Sequence, residues 1–375
     1  MARSPLLLVL PHLRPGGIES GTVRLSGALA ARGWPVRLLL GAREGALVDL
    51  VAPGVELADL GGRGAMASVP RLRAEIASAR AVWSGTNARN VAVLLAAASL
   101  PVGRRPPVLI SEHTAPEAYL ASARGGAVRR ALLRRLYPRA DALLAPLPGL
   151  GEAWRSALGL EARPVVAALP NPVLGPDELA AVTRLEAGGG ATRDPDLVVA
   201  VGRLDHAKGH DLAIRALAHA RVDRPALRLV IHGEGPEAGR LAALAAGLGQ
   251  GGAVTLAGLT RDPVGAFAGA GAAVLGSRRE GFGNVVVEAL AAGTPVVATD
   301  CDGPRALLAG LGAGGRIVAR GDAEALGAAL AATCGAPAAL AAAAGPGRDR
   351  ARRYTVGAAA DAFVAVLAGH GVTGG

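Results

Sequence analysis

"DLVVAVGRLDHAKGHDL", residues 196–212, decides how this chain folds. An apolar run ends at Gly202, a polar loop follows, and an amphipathic run begins near His210. A short run with no apolar–polar alternation is a strand buried on both faces, and the following helix makes it half of a parallel β-α-β unit. The order recurs downstream in "LRLVIHG" (227–233), "AVTLAG" (253–258), "AAVLGS" (272–277), "PVVATD" (295–300) and "GRIVA" (315–319), with helical patterns between. It also recurs upstream: "PLLLVL" (5–10), the loop "PHLRPGGIES", an amphipathic run from Ser20 to Arg32, then "PVRLLL" (35–40). The predicted class is α/β, two Rossmann-like doubly wound domains facing across a cleft, with ligands at the carboxyl ends of the strands. At 375 residues the chain exceeds one ordinary core. The first domain is expected over 1–175, completed by a C-terminal helix within 355–375, and the second over 190–354. The hinge falls between Pro172 and Pro195, where "LEAGGGATRDPD" (185–196) reads as linker.

Half of the residues, 51%, are hydrophobic and only 19% charged, which excludes a disordered tail or a coiled coil. Aromatics make up 2%, so stacking platforms for nucleic acid are missing. Lys and Arg total 40, yet Lys208 is the only lysine. Arginine has replaced lysine throughout, as a GC-rich genome writes it, so the net charge of +10 is partly background. It still permits attraction to phosphorylated ligands or anionic lipid. Cys301 and Cys334 form neither a disulfide framework nor a metal-ligand spacing, which fits a reducing cytoplasm. "LLLVL" (6–10) is too short for a signal peptide, and "VAVLLAAASLPV" (91–102) is shorter than the roughly 20 apolar residues of a membrane span.

The densest chemistry lies in "SRREGFGNVVVEALAAGTPVVATDCDGP" (277–304). Glu280 follows a strand, Gly281 and Gly283 permit a tight turn, and a helix opening near Asn284 offers free N–H groups and a positive dipole to an anion. Asn284 and Glu288 share a helix face, where a carboxylate can grip a vicinal diol. A core helix with two solvated glutamates would need the same residue types, so the stretch is judged with its context.

In that context the chain resembles the retaining GT-B glycosyltransferases of family 4. Their Glu, seven residues, Glu motif is matched by Glu280 and Glu288, and the likeness runs through most of the second block and more thinly through the first. It implies Glu280 near the donor sugar, Glu288 on the nucleotide ribose, and Gly281, Phe282, Gly283 and Asn284 lining the donor. A second signature, an Arg ending the first strand of that domain and a Lys five residues on, is matched by Arg203 and Lys208. A diphosphate leaving group gains charge as the glycosidic bond breaks, and cations at its oxygens stabilise that charge. "RPGGIE" (14–19) matches the family's glycine loop, with Gly16 and Gly17 approaching the diphosphate. His113 in "SEHT" (111–114) matches a histidine lining the donor-sugar cleft. Leu259 and Thr260 in "AGLTRDP" (257–263) match a loop that holds the base, here expected to be uracil.

The implied activity is transfer of a hexose or N-acetylhexosamine from a UDP-sugar to a glycan or lipid-linked acceptor, with retention. The catalytic set is Arg203, Lys208, Glu280 and His113, and in relatives the departing diphosphate takes the acceptor proton. No metal and no further cofactor is expected, because "DCD" (300–302) is too short a match to a metal motif of another fold to count. Ala306 stands where relatives often carry Glu, and "APLPG" (145–149) lacks their usual Ser. "TDCDGPRALL" (299–308) resembles members that build surface polysaccharide. Asn171-Pro172 resembles the segment that closes the first domain. "HGEGPE" (232–237) also matches a family loop but is a weak dinucleotide signal. "RGGAVRRALLRRLYPR" (124–139) is a basic, partly apolar helix, either a solvated face or a contact with anionic membrane. The expected location is the cytoplasm or the inner membrane face. Two other readings remain open on these residues: an epimerase of the same fold using the nucleotide sugar with no acceptor, and a catalytically silent nucleotide-sugar-binding protein.

Overall fold

The computed structural model describes residues 4–120, 125–187 and 193–373. Residues 188–192 of the expected linker, residue 124 at the head of the basic helix and residues 374–375 lie outside the described residues. The chain divides into two compact units, Met1–Pro172 with Thr355–Gly375, and Val173–Tyr354.

Among its described residues the first unit holds seven strands: β1 (Leu6–Leu10), β2 (Val36–Leu40), β3 (Val55–Asp59), β4 (Ala81–Ser84), β5 (Val108–Ser111), β6 (Ala142–Ala145) and β7 (Val165–Ala168). They form one parallel sheet in the order β3-β2-β1-β4-β5-β6-β7. Every residue of β1 is buried, as a central parallel strand covered on both faces requires. Leu6, Leu8 and Leu10 share a core with Leu25 and Leu29 of helix Gly17–Ala31 and with Phe363 and Leu367 of helix Val356–Gly369. The final helix is fixed to the same unit by Arg32, whose guanidinium lies 2.7 Å from Asp361. The lipid-like stretch at 91–102 is mostly helix Asn87–Ala98, with Val91, Ala92, Val93, Leu94, Ala96 and Ala97 all buried. Its apolarity is that of a helix packed inside a protein.

The second unit holds β8 (Asp194–Val201), β9 (Arg228–His232), β10 (Val254–Gly258), β11 (Ala270–Leu275), β12 (Val296–Thr299) and β13 (Gly315–Val318). Their order is β10-β9-β8-β11-β12-β13, again all parallel. Numbered within the unit this is 3-2-1-4-5-6, the doubly wound Rossmann order. The order reverses between β8 and β11, so the loops leaving those two strands diverge and open a crevice at their carboxyl ends.

Two local expectations change. The span between Pro172 and Pro195 contains a 12-residue helix, Pro176–Ala187, which belongs to the second unit. β8 begins at Asp194, inside the stretch read as linker, and Asp194 is held there by Arg228 at 2.6 Å. Among the described residues no helix is long and apolar enough to cross a membrane.

Candidate active site

In the second unit the loops leaving β8 and β11 bring together residues 72 positions apart: Lys208 Nζ lies 2.6 Å from Glu280 Oε2. The β8 loop owes its shape to two local devices. Asp205 accepts the Lys208 backbone N–H at 3.1 Å, capping the single 3-10 turn His206–Lys208. Gly209 then takes φ +62° and starts helix His210–Asp223. His210, nearly buried, places Nε2 3.2 Å from the Arg203 carbonyl and steadies the start of the loop. Burial lowers its pKa, so the ring stays neutral and can donate there.

Arg203 sits at the mouth of this loop. Its side chain is 73% exposed and pairs with Asp205 at 2.7 Å, while the Lys208 and Glu280 side chains are 29% and 13% exposed. The two cations are therefore presented differently, one on a solvent-facing arm and one over a partly shielded carboxylate. A partly buried pair is screened less than an exposed one. The arrangement can exchange partners: an anion arriving at Lys208 would compete with Glu280 for the ammonium and leave that carboxylate open to a hydrogen-bond donor.

After Glu280 the chain turns through Gly283, φ +93°, into helix Asn284–Ala291. Gly283 itself has no side chain with which to cap that helix start. Asn284 opens the helix and Glu288 follows one turn later on the same face. Phe282 stands within the turn itself. Its ring is buried and stands edge-on to Tyr354, with centroids 5.1 Å apart, so its side chain belongs to the packing under the loop. Leu259 is exposed beyond β10, and Thr260 Oγ1 accepts the Asp262 N–H at 3.1 Å, shaping the turn before helix Pro263–Ala268. Asp300 and Asp302 are both engaged by Arg305, at 2.7 and 3.1 Å. Among the described residues no cluster of three His, Cys, Asp or Glu could hold a metal ion.

In the first unit Gly16 is the extended residue before helix Gly17–Ala31, which begins at the carboxyl end of β1. Gly17 and His113 line one small pocket with Thr22, Trp83, Asn171 and Pro172. Both ring nitrogens of His113 are buried and find no hydrogen-bond partner among the described residues. Burial lowers its pKa to about 4, which keeps the imidazole neutral with one donor and one acceptor unspent.

The residues that hold His113 in place escaped the sequence reading. Trp83 Nε1 donates to Ser111 Oγ at 2.7 Å, and Trp154 Nε1 donates to the Thr114 carbonyl at 2.8 Å. Between them Glu112 is buried and accepts from Asn87 at 2.6 Å, from Asn90 at 3.1 Å and from the Tyr137 hydroxyl. Burial raises its pKa to about 7, against the opposing pull of those three donors. In "SEHT" (111–114) the sequence points to His113 and not to Glu112. The signal for it was a carboxylate placed directly after an apolar strand, but its partners stand 22 to 25 residues away with no local pattern.

Comparison with known proteins follows the two units. Residues 15–173 match the family described as Glycosyltransferase Family 4, and residues 183–335 match Glycosyl transferases group 1. The phosphatidyl-myo-inositol mannosyltransferase of Mycobacterium tuberculosis is 30% identical over 319 residues, covering 78% of this chain and 76% of its own. The lipopolysaccharide core biosynthesis glycosyltransferase LpsE of Rhizobium meliloti is 37% identical over 131 residues, 35% of this chain. Across the first three curated relatives that it matches, the chain spans 20% to 52% of their own length. Among solved structures, HepE of Anabaena in complex with UDP aligns with a TM-score of 0.77 at 20% identity, over 97% of this chain and 100% of its own.

Proposed function

The chain belongs to the family 4 glycosyltransferases of GT-B fold, and on that premise we propose that it moves a hexose or N-acetylhexosamine from a nucleotide sugar to an acceptor hydroxyl, with retention, in the building of a surface polysaccharide or glycoconjugate. The observation that carries the reading is the Lys208–Glu280 contact at the crevice between β8 and β11. Lys208 and Arg203 supply positive charge where a leaving diphosphate gains negative charge, and Glu280 stands beside Lys208 where the donor sugar follows the phosphates. Glu288, one helical turn beyond the glycine loop, takes the ribose diol.

In the transfer step the bond from the sugar C1 to the diphosphate oxygen breaks and a bond from C1 to the acceptor oxygen forms. The acceptor proton passes to the departing diphosphate on the same face, which keeps the anomeric configuration. In the first unit His113 offers its unspent donor and acceptor to a substrate hydroxyl. UDP is the favoured nucleotide because HepE, of the same fold, has been solved with UDP and with UDP-glucose. The relatives' names carry different sugars, mannosyl in one and N-acetylgalactosaminyl in another, so the donor is a matter for assay.

The test offers UDP-GlcNAc, UDP-GalNAc, UDP-Gal and GDP-Man, each with and without a lipid-linked or glycan acceptor. Nucleotide released only when acceptor is present, with the anomeric configuration kept in the product, is the expected result. Donor turned over without any acceptor would favour an epimerase. Tight binding without turnover of any donor would favour a silent binding protein.

The acceptor reading extends to the membrane. Helix Gly126–Leu136 leaves Val128 and Leu132 exposed beside exposed Arg130, Arg134 and Arg135. Apolar side chains flanked by cations fit an anionic lipid surface. At about 1 kcal/mol per arginine, replacing all three by glutamine should weaken binding to phosphatidylglycerol vesicles on the order of 100-fold, with little change on neutral vesicles. Cosedimentation of the two proteins to the same extent would remove the membrane from this reading.

A further inference from the structure

Arg278 lies two residues before Glu280, yet its bonds run to the other side of the crevice. Its backbone N–H donates to the Ala207 carbonyl at 2.9 Å, and Nη1 donates to the His206 carbonyl at 3.0 Å. The same guanidinium meets Asp211 with two prongs, Nη1 to Oδ1 at 2.8 Å and Nη2 to Oδ2 at 2.7 Å. Asp211 is nearly buried in the first turn of helix His210–Asp223, and Arg278 holds its carboxyl below the usual range. His206 and Ala207 are the two residues immediately before Lys208. One side chain thus ties the loop that carries Glu280 to the loop that carries Lys208, and to the helix that follows it.

We propose that Arg278 is a positioning residue for the diphosphate site, setting where the Lys208 ammonium stands relative to Glu280. The proposal rests on the nucleotide-sugar reading above. An arginine kept only for surface stability would contribute little, since exposed ion pairs are screened and add little to stability. Arg278 differs from that case in geometry. A forked contact fixes the orientation of the guanidinium as well as its charge, and a third bond spends that orientation on the segment that presents the lysine. Its neighbour Arg279 is exposed and makes no ion pair or side-chain hydrogen bond among the described residues, which makes it the natural control.

The test is calorimetric titration of the full-length protein with UDP and with UMP. UMP lacks the β-phosphate, so the ratio of the two affinities reads the cation placed on the diphosphate, and Lys208→Ala calibrates it. Lys208→Ala should weaken UDP about tenfold, as loss of one charged hydrogen bond does, with a smaller effect on UMP. Arg278→Ala should weaken UDP roughly five- to tenfold and UMP less than about twofold, while Arg279→Ala leaves both unchanged. In the Lys208→Ala background Arg278→Ala should cost nothing further, because the group it positions is gone.

UDP affinity at the wild-type level in Arg278→Ala would overturn the proposal. So would equal weakening of UDP and UMP, or losses that multiply in the double variant. Should Arg278→Ala fail to fold, Arg278→Lys, which keeps the charge and loses the fork, is read by the same criteria. A wild-type protein that binds neither UDP nor GDP would instead sink the nucleotide-sugar reading. GDP binding in place of UDP moves the same series to GDP and GMP.

Discussion

Lys208→Ala is expected to lower turnover by about 100-fold or more while leaving the protein folded. Removing one donor aimed at developing charge costs on the order of 10²–10³ in kcat, because the charge it meets appears only as the bond breaks. Here the loss has two parts. The diphosphate gives up its partly shielded cation, since Arg203 is 73% exposed and engaged with Asp205. Glu280, at 13% exposure, also loses its ion-pair partner and with it the contact that fixes its carboxylate. Lys208→Arg keeps the charge but should rescue poorly. The contact with Glu280 is a single 2.6 Å point contact, and a planar fork on a differently shaped stem cannot reproduce it. Steady-state turnover and a thermal melt, run on all three proteins, decide the matter. Near wild-type turnover in the alanine variant would remove Lys208 from the mechanism.

That lysine is legible in the sequence because composition isolates it and spacing places it five residues after Arg203. The central strands were visible for a physical reason as well. β1 is buried on both faces, so it reads as a plain apolar run, and its expected start differs from the observed one by a single residue. β3 and β7 lack that signature: β3 mixes Glu56 and Asp59 with apolar residues, and the ends of β7 are exposed. The helix Pro176–Ala187 was hidden by its glycine-rich neighbourhood, although its start carries the expected marks. Pro176 opens it, Asp177 and Glu178 sit in the first turn, and Glu178 accepts the Gly175 N–H at 2.9 Å.

Within the site, legibility followed distance along the chain. Glu280 and Glu288 are one motif, and so are Arg203 and Lys208. Which member of one motif meets which member of the other depends on the order of β8 and β11 in the sheet. The Arg278–Asp211 fork spans 67 positions and the support of His113 spans up to 40, so neither has a local sequence signal. The packing of the Phe282 ring against Tyr354, 72 positions on, has no local sequence signal either.

Gly209→Ala is expected to destabilise the second unit by about 3 kcal/mol and to abolish most activity, although it adds one methyl group. Two terms combine. Gly209 has φ +62°, where an L side chain costs roughly 1–2 kcal/mol. The new Cβ would also stand 1.9 Å from the Gly276 carbonyl oxygen and 2.6 Å from its carbon. Overpacking typically adds about 1–3 kcal/mol, and the atoms struck here are backbone with no rotamer to change. A Cβ on Gly276 would in turn meet the Gly209 carbonyl at 2.4 Å, so each glycine is the space the other needs. Relief requires the β8 and β11 loops to part, and Lys208 and Ser277 are the residues next in line. The separation that puts Lys208 against Glu280 is therefore set partly by two missing side chains. Gly239→Ala is the control. It is the second residue of helix Ala238–Gly247 with open space around its Cβ, and alanine there should raise stability by about 0.4–1 kcal/mol. Denaturant unfolding of the two variants should move the midpoint in opposite directions. A Gly209→Ala protein as stable as the wild type would mean that the loops can separate freely, and that close glycine packing does not set the distance between the lysine and the glutamate.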